Sequence, residues 1–271
     1  MCVAGCEMKV RAALSRRSFF RGMAAAGFMT TAAPASAEKT RSFTKVVDLT
    51  HTMSAEFPTF MGKPGIEMQR EFDFKKDRFN LFWWHIVEHA GTHLDAPIHF
   101  SEAGLSADQL LVEQLVVPLA VVNVVYQAEQ DADYQLSRED LAKWEAKHGP
   151  LPTGCCVALH SGWGELATVD PARFVGRDVN GTLHFPGFAP EAAAWLMMER
   201  RVAGLAVDTM SLDHGPSRNF RTHQIWLPSG RWGLENVANL DKVPEAGATL
   251  VVGASKVKDS TGGLARVIAL V

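Results

Sequence analysis

The chain has 271 residues, of which 47% are hydrophobic, 21% are charged and 9% are aromatic. This composition is typical of a globular protein and excludes a collagen-like or intrinsically disordered chain. The net charge of −3 argues against a nucleic-acid-binding protein, because such proteins concentrate basic residues in one patch. Four cysteines are too few for a disulfide-stabilised scaffold.

Residues 1–37 have the pattern of an export signal. The segment Ser15-Arg16-Arg17-Ser18-Phe19-Phe20 resembles the twin-arginine consensus of bacterial signal peptides. A short apolar run follows, and Ala35-Ser36-Ala37 has the small residues of a cleavage site. We therefore predict a twin-arginine signal peptide over 1–37, starting at Met1 or Met8, and a periplasmic or secreted protein that has no membrane attachment after cleavage.

Residues 38–271 are predicted to form a single domain, because no repeat or low-complexity linker interrupts them. Cleavage would remove five basic residues and one acidic residue from 27 and 30, leaving a net charge of −7. Helical patterns cover 137–147, which begins with a Ser137 cap and early acidic residues, and 190–201, which begins with proline. Short apolar runs predict buried strands at 46–49, 119–125, 156–159, 202–207, 249–252 and 266–271. Strands outnumber helices, which favours an α/β or α+β domain with a substantial sheet.

Four histidines lie within fifteen residues, at positions 85, 89, 93 and 99, and Asp95 lies among them. Gly91 and Pro97 argue against a helix. All five positions are odd, so an extended strand that ends or bulges near Pro97 would place these side chains on one face. Imidazoles and a carboxylate on one face form a metal site that suits zinc or manganese, and a solvated polar strand is the alternative interpretation.

The segment from His89 to His99 is similar to the H-x-G-T-H-x-D-x-P-x-H signature of the metal-dependent cyclase-like hydrolases. This family includes bacterial kynurenine formamidase and isatin hydrolase. The resemblance covers nearly all of residues 45–271. It extends to Asp48-Leu49-Thr50-His51, Ser161-Gly162-Trp163, Asp208-Thr209-x-Ser211-x-Asp213, Leu234-Glu235-Asn236-x-x-Asn239-Leu240 and Gly263-Leu264-Ala265-Arg266.

The resemblance implies a mixed α/β, swivelling β/β/α fold with a curved sheet or barrel-like core and flanking helices. It also implies that His89, His93 and Asp95 are metal ligands, and that His223 and Glu235 are ligands supplied by the second half of the chain. The expected cofactor is Mn²⁺ or Zn²⁺, as one or two ions, because Thr222 precedes His223 where many members carry a histidine pair. Members commonly form dimers or tetramers, so we expect a homodimer or homotetramer.

By the same resemblance His99 is the proton-transfer residue, and Glu235 or His99 would take the proton of a metal-activated water. The predicted reaction is hydrolysis of a C–N bond in a cyclic amide or aryl formamide. Aromatic residues crowd the segments before the ligands, so we expect Phe57, Phe60 and Trp83 to bind a small aromatic substrate. Phe57-Pro58-Thr59-Phe60 stands where formamidases tend to have tryptophan, which slightly favours an isatin-like substrate over N-formylkynurenine. The alternatives are a cyclic ester (lactone) hydrolase or lyase on the same scaffold and a non-catalytic periplasmic metal-binding protein.

Overall fold

The computed structural model describes residues 42–271, and the predicted signal peptide lies outside the described residues. The helices are α1 Phe74–Asp77, α2 Val125–Gln130, α3 Arg138–His148, α4 Trp163–Val169, α5 Pro171–Val175, α6 Pro190–Glu199 and α7 Arg221–Trp226. The strands are β1 Val46–Asp48, β2 Ile66–Phe72, β3 Leu81–Ile86, β4 His93–Asp95, β5 Val116–Asn123, β6 Gln135–Leu136, β7 Cys156–His160, β8 Gly187–Phe188, β9 Gly204–Val207, β10 Trp232–Glu235, β11 Thr249–Ala254 and β12 Gly262–Leu270.

Seven strands close into a barrel, in the order β12, β11, β5, β7, β9, β10 and β4, because β4 also pairs with β12. The run from β5 through β7 and β9 to β10 is parallel, and the remaining pairs of the barrel are antiparallel. Strand β1 extends the sheet by pairing with the C-terminal end of β12. The predicted mixed α/β fold with a barrel-like core and flanking helices is confirmed.

Both faces of β5, β7 and β9 are apolar, because their alternate residues belong to the core of the barrel and to a second core under the helices. In β5, Leu119 and Val121 belong to the inner cluster, which also contains Leu94 and Leu234. The alternate residues of β5 pack outward with residues of α3, α6 and α7, namely Ala120, Val122, Leu141, Trp144, Leu196 and Trp226. This alternation follows from the period of two in a strand, and it explains why the barrel strands appear as continuous apolar runs.

All six predicted strands and both predicted helices are present, with ends shifted by a few residues. Helix α3 begins after Ser137, whose hydroxyl accepts a hydrogen bond from the backbone N–H of Asp140, as the capping pattern predicts. The ends of strands shifted most, because pairing with neighbours and not apolar content decides where a ladder stops.

The prediction of a single strand that carries positions 85 to 99 on one face is wrong. Between His89 and His99, only His93–Asp95 is a strand, and Pro97–Phe100 is a 3₁₀ helix. Gly91 has a φ of +62° and breaks the extended chain in front of β4. His85 lies on β3, opposite Glu67 and exposed, outside the barrel.

Strands β2 and β3 form a separate two-stranded antiparallel sheet, connected through α1. We call residues 66–86 the hairpin. Its last residue, Ile86, is three positions before His89, so the hairpin leads directly into the histidine-rich segment. Among residues 42–271, no helix is both long enough and apolar enough to cross a membrane.

Candidate functional site

Strand β4 carries two of the predicted ligands into the barrel wall. It lies between β10 and β12, with Glu235 directly opposite His93 on β10. Because side chains alternate along a strand, His93 and Asp95 point to one face, while Leu94 points to the other and is fully buried. The pairing register therefore brings Glu235, 142 positions further along the chain, beside His93.

Asp95 is at the centre of the cluster. Its Oδ1 lies 2.6 Å from His89 Nδ1 and 3.2 Å from His93 Nε2, and its Oδ2 lies 3.5 Å from His223 Nε2. Glu235 approaches the same imidazoles, with Oε1 at 3.1 Å from His223 Nε2 and Oε2 at 3.4 Å from His93 Nε2. The structure therefore brings together all five residues predicted to be ligands.

Hydrogen bonds to groups outside the cluster orient His93 and His223. His93 Nδ1 donates to the backbone carbonyl of Gly91 at 2.8 Å, and His223 Nδ1 donates to Asp213 Oδ2 at 2.6 Å. Each Nδ1 is thus committed to an acceptor, which leaves Nε2 facing the carboxylates. Such outer hydrogen bonds orient metal-ligating histidines and select the nitrogen that binds.

The donor set fits a divalent metal ion. Within the described part of the chain, His93 Nε2 and Asp95 Oδ2 are buried and have no hydrogen-bond partner, although buried polar atoms are normally paired. Two atoms bound to one tetrahedral ion at about 2.0–2.2 Å lie roughly 3.3–3.6 Å apart, and the separations around Asp95 and Glu235 are close to this range. His93, Asp95 and Glu235 form one set of converging ligand atoms, and His89, Asp95 and His99 form another.

The charges of the cluster also require positive charge beside them. Burial raises the pKa of Asp95, but the adjacent imidazoles of His223, His89 and His93 outweigh it and hold that pKa well below its usual value. Burial lowers the pKa of His93, yet Asp95 and Glu235 raise it to about 10. The two buried carboxylates are therefore ionised at neutral pH, and their charge must be matched by protons on the imidazoles or by a metal ion.

His99 lies at the edge of the cluster with a different character. Its ring stacks on His89 with centroids 3.8 Å apart and an interplanar angle of 21°. Burial lowers the pKa of His99 to about 4, so this imidazole is neutral at pH 7. A neutral imidazole beside a cluster of ligands is suited to accepting a proton first and donating it afterwards.

A row of three phenylalanines begins beside His99 and His223. The ring of Phe100 lies 4.8 Å from each of these histidines, and Phe220 lies 5.9 Å from both Phe100 and His223. Phe60 continues this wall at 6.1 Å from Phe220. The aromatic wall therefore consists of Phe60, Phe100 and Phe220.

The structure distributes the three predicted substrate-binding residues differently. Phe60 belongs to the aromatic wall. Phe57 is buried and packs against His51 and Phe174, neither of which belongs to the ligand cluster. Trp83 lies on the hairpin, where it is 60% exposed and its indole N–H donates a hydrogen bond to Glu71. Within one chain, Trp83 is therefore not part of the ligand cluster.

Sequence reasoning gave no role to Asp213, Phe100 or Phe220. Asp213 closes the Asp208-to-Asp213 motif, and besides His223 Nδ1 it accepts the backbone N–H groups of Thr222 and His223. That motif was a signal that this acid has a local task. Phe100 and Phe220 gave no such signal, because an isolated phenylalanine has no spacing pattern that separates a site wall from a core.

A protein-family model, Cyclase, matches residues 47–214. The chain belongs to the Cyclase family. An isatin hydrolase from Roseibium aggregatum is 30% identical over 244 residues, which cover 84% of this chain and 92% of that protein. A kynurenine formamidase from Bordetella petrii is 26% identical over 205 residues, which cover 75% of this chain and 87% of that protein.

Solved structures of Cyclase-family proteins have the same architecture. Isatin hydrolase A from Ralstonia solanacearum superimposes with a TM-score of 0.78 at 32% identity, covering 84% of this chain and 92% of that one. The barrel and its flanking helices are therefore shared over most of the described chain. The resemblance read from the motifs is confirmed at the level of the family.

Proposed function

We propose that this protein is a metal-dependent hydrolase that cleaves the C–N bond of a cyclic amide or an aryl formamide. The observation that carries the proposal is the convergence of three imidazoles, those of His89, His93 and His223, with the two buried carboxylates Asp95 and Glu235, and the neutral His99 beside them. Similarity to an isatin hydrolase and to a kynurenine formamidase supports this reaction class over a metal-storage role.

His89, His93, Asp95, His223 and Glu235 would hold one or two divalent ions, with Mn²⁺ and Zn²⁺ both suited to this nitrogen and oxygen set. When bound, such an ion polarises a carbonyl and lowers the pKa of water from 15.7 towards about 7. Asp95 has one oxygen towards His89 and His93 and the other towards His223, and Glu235 has one oxygen towards His93 and the other towards His223. Both carboxylates would therefore help to hold the metal.

His99 is assigned the proton transfer. Hydrolysis adds the oxygen of water to the carbonyl carbon, breaks the C–N bond and places one of the two protons of water on the nitrogen. The products are an amine and a carboxylic acid, which releases the other proton to give the carboxylate. An amide nitrogen leaves poorly unless it is protonated as the bond breaks. The neutral His99 ring can accept the proton released by water and pass it to that nitrogen, and Glu235 is the alternative first acceptor.

The substrate class follows from the aromatic wall. Phe100 contacts His99, and Phe220 and Phe60 continue the wall away from it, which suits a flat aromatic substrate. An isatin-type lactam and an aryl formamide both carry the nitrogen of the scissile bond on an aromatic ring. The higher identity to an isatin hydrolase than to a kynurenine formamidase leads us to put isatin first and N-formylkynurenine second.

The test is the initial rate of isatin ring opening by purified protein loaded with Mn²⁺ or Zn²⁺, beside the same protein stripped with a chelator. Fast, metal-dependent loss of the isatin absorbance supports the proposal. N-formylkynurenine and an aromatic lactone are assayed in parallel, and turnover of the lactone alone would move the reaction to cyclic esters. Tight metal binding without turnover of any of the three would contradict an enzyme of this class and favour a non-catalytic metal-binding protein.

We also propose that two copies of the chain associate through the hairpin. Phe74, Phe79, Trp83, Trp84 and Met68 are each about half exposed or more, and a two-stranded hairpin alone is marginally stable in water. Trp83 and Trp84 are consecutive in β3, so they point to opposite faces. An exposed apolar surface of several hundred Å² marks an interaction site.

Charge favours a second copy as the occupant of this surface. Residues 66–86 contain four acidic and four basic side chains, whereas residues 38–271 carry a net charge of −7. A neutral apolar surface neither repels its own copy nor attracts a basic or an acidic partner. Self-association therefore matches the hairpin better than a charged ligand would.

Export by the twin-arginine route remains a proposal from residues 1–37. The motif around Arg16 and Arg17, followed by the Ala35-Ser36-Ala37 site, supports it. Changing both arginines to lysine is expected to leave uncleaved protein in the cytoplasm, measured by fractionation. Unchanged periplasmic cleavage of that variant would contradict the proposal.

A further inference from the structure

A hydrogen-bonded chain of two polar residues stands behind His89. Glu88 Oε2 accepts hydrogen bonds from both the backbone N–H and the hydroxyl of Thr261. Thr261 Oγ1 in turn lies 2.8 Å from His89 Nε2. The backbone carbonyl of Thr261 accepts from the N–H of Ala96, which ties this residue to the end of β4.

This arrangement identifies the hydrogen on the His89 ring. A threonine hydroxyl has one hydrogen, and Thr261 uses it to donate a hydrogen bond to Glu88. Thr261 Oγ1 can therefore only accept a hydrogen bond from His89. His89 Nε2 therefore carries a hydrogen and is not available as a ligand. Nδ1, which lies 2.6 Å from Asp95 Oδ1, is the nitrogen directed into the cluster.

His89 directs the other ring nitrogen into the cluster, compared with His93 and His223. His93 and His223 direct Nε2 inward and keep Nδ1 on the Gly91 carbonyl and on Asp213. We propose that Thr261 and Glu88 are positioning residues that hold the hydrogen on His89 Nε2 and thereby present Nδ1 to the metal. The inference rests on the metal dependence in the proposed function.

Two other neighbours, His99 and Gly262, restrict how the His89 ring can turn. His99 stacks on one face of the His89 ring, and a Cβ placed on Gly262 would lie 2.7 Å from His89 Cε1. The ring therefore has little space to rotate, and the hydrogen bond to Thr261 Oγ1 decides which of its two nitrogens faces Asp95. Without the hydroxyl, the neutral ring loses the group that distinguishes Nε2 from Nδ1.

Thr261→Val is the direct test, because valine keeps the shape of the side chain and removes the hydroxyl. We expect the dissociation constants of Mn²⁺ and Zn²⁺, measured by calorimetry on the full chain, to rise by about 10- to 100-fold. Thr261→Ser restores the hydroxyl and should bind both ions within about threefold of the wild type, allowing for the context dependence of one hydrogen bond. Thr168→Val is the matched control, because the Thr168 hydroxyl donates to the backbone carbonyl of Glu165 on α4. The metal affinity of this variant should not change.

A second variant and a spectroscopic measurement keep the test independent of folding. Glu88→Ala frees the hydroxyl hydrogen of Thr261 to donate to His89 Nε2, so it should weaken metal binding in the same direction without touching Thr261. In Zn²⁺-loaded protein labelled with ¹⁵N-histidine, long-range ¹H–¹⁵N spectra should show His89 protonated at Nε2 and metal-bound through Nδ1. The hydrogen on Nδ1, or unchanged affinity in a folded Thr261→Val protein, would overturn the proposal.

The two failures can be told apart. A wild-type protein that binds the ions but turns over neither amide substrate removes the proposed reaction, and the weakened binding of Thr261→Val still supports the positioning role. A wild-type protein that binds neither Mn²⁺ nor Zn²⁺ overturns both.

Discussion

The ligand cluster and the hairpin are neighbours in sequence and opposites in composition. The cluster buries the imidazoles of His93 and His223 and two carboxylates, and the third imidazole, that of His89, is partly buried. His93 and Asp95 are each 1% exposed. The hairpin ends three residues before His89 and exposes tryptophan, phenylalanine and methionine on a two-stranded sheet. Burial of charge and exposure of large apolar side chains are both unfavourable for an isolated chain.

The comparison shows how each region indicates its missing partner. In the cluster, the buried His93 Nε2 and Asp95 Oδ2 have no hydrogen-bond partner and call for a cation. On the hairpin, exposed aromatic rings call for another apolar surface. The two regions should therefore respond to different perturbations. Changes in the cluster should alter metal binding and turnover, whereas changes in the hairpin should alter association.

The largest effect is expected for His93→Ala, which removes a buried imidazole that Asp95 and Glu235 both approach. Turnover should fall to the level of the metal-stripped protein, and added Mn²⁺ or Zn²⁺ should no longer raise Tm. In the wild type, ion at 100 times its Kd should stabilise the fold by about 2.7 kcal/mol. His148→Ala is the control, because that histidine bonds to Glu245 away from the cluster and should leave turnover unchanged. Wild-type turnover in His93→Ala would contradict the ligand assignment.

His99→Ala separates proton transfer from metal binding. His99 is assigned proton transfer and no metal-holding role. Its removal should therefore lower kcat by about 10²- to 10⁴-fold. Metal affinity, measured by calorimetry, should stay close to that of the wild type. A loss of affinity as large as the loss of kcat would instead identify His99 as a ligand, which its place in the second converging set allows.

The hairpin is tested by Trp83→Glu combined with Trp84→Glu. Two carboxylates on opposite faces of β3 should prevent apolar association, and light scattering coupled to size exclusion should show a shift from dimer or tetramer to monomer. Metal affinity should be preserved. Tyr126→Glu is the control, because Tyr126 is an exposed aromatic residue on α2 and its replacement should leave the assembly intact. A wild-type chain that is already monomeric would contradict self-association.

The smallest effect is expected where an imidazole meets carboxylates at the surface. A hydrogen bond to Asp133 raises the pKa of His184 above its ordinary value of 6.5. A raised pKa in the folded state contributes stability that is complete below about pH 6.5 and is lost as the pH rises through the folded pKa. His184→Asn should therefore reduce the fall in Tm between pH 6 and pH 9. The change should stay below about 1 kcal/mol because solvent screens the exposed pair, and an unchanged pH profile would contradict it.

Much of the barrel could be predicted because its strands are buried on both faces. Such strands appear as apolar runs, and the six runs from Val46 to Val271 all became strands. Strand β10 was not predicted, and β4 was predicted only as part of a longer strand over positions 85 to 99. β4 has only three residues, with polar His93 and Asp95 at its ends, and no apolar run distinguishes a short strand held between two neighbours.

The five predicted ligand residues could be chosen from motifs, but their arrangement could not. The odd spacing predicted one strand face, whereas the structure uses a turn at Gly91, a short strand and a helix, α7, that supplies His223. Spacing describes only neighbours along the chain. The approach of Glu235 to His93 depends on the register between β10 and β4, which arises from pairing across the barrel.

The residue types were enough to establish the family, the ligand chemistry and the apolar strands, because these depend on short-range patterns of side chains. The fold was needed to establish which nitrogen of each histidine faces inward, which rings form the wall beside His99, and that Thr261 supports His89. These properties depend on contacts between residues as far apart as 172 positions, as in the bond between His89 and Thr261. Closure of the barrel brings such residues together, and no local pattern encodes that closure.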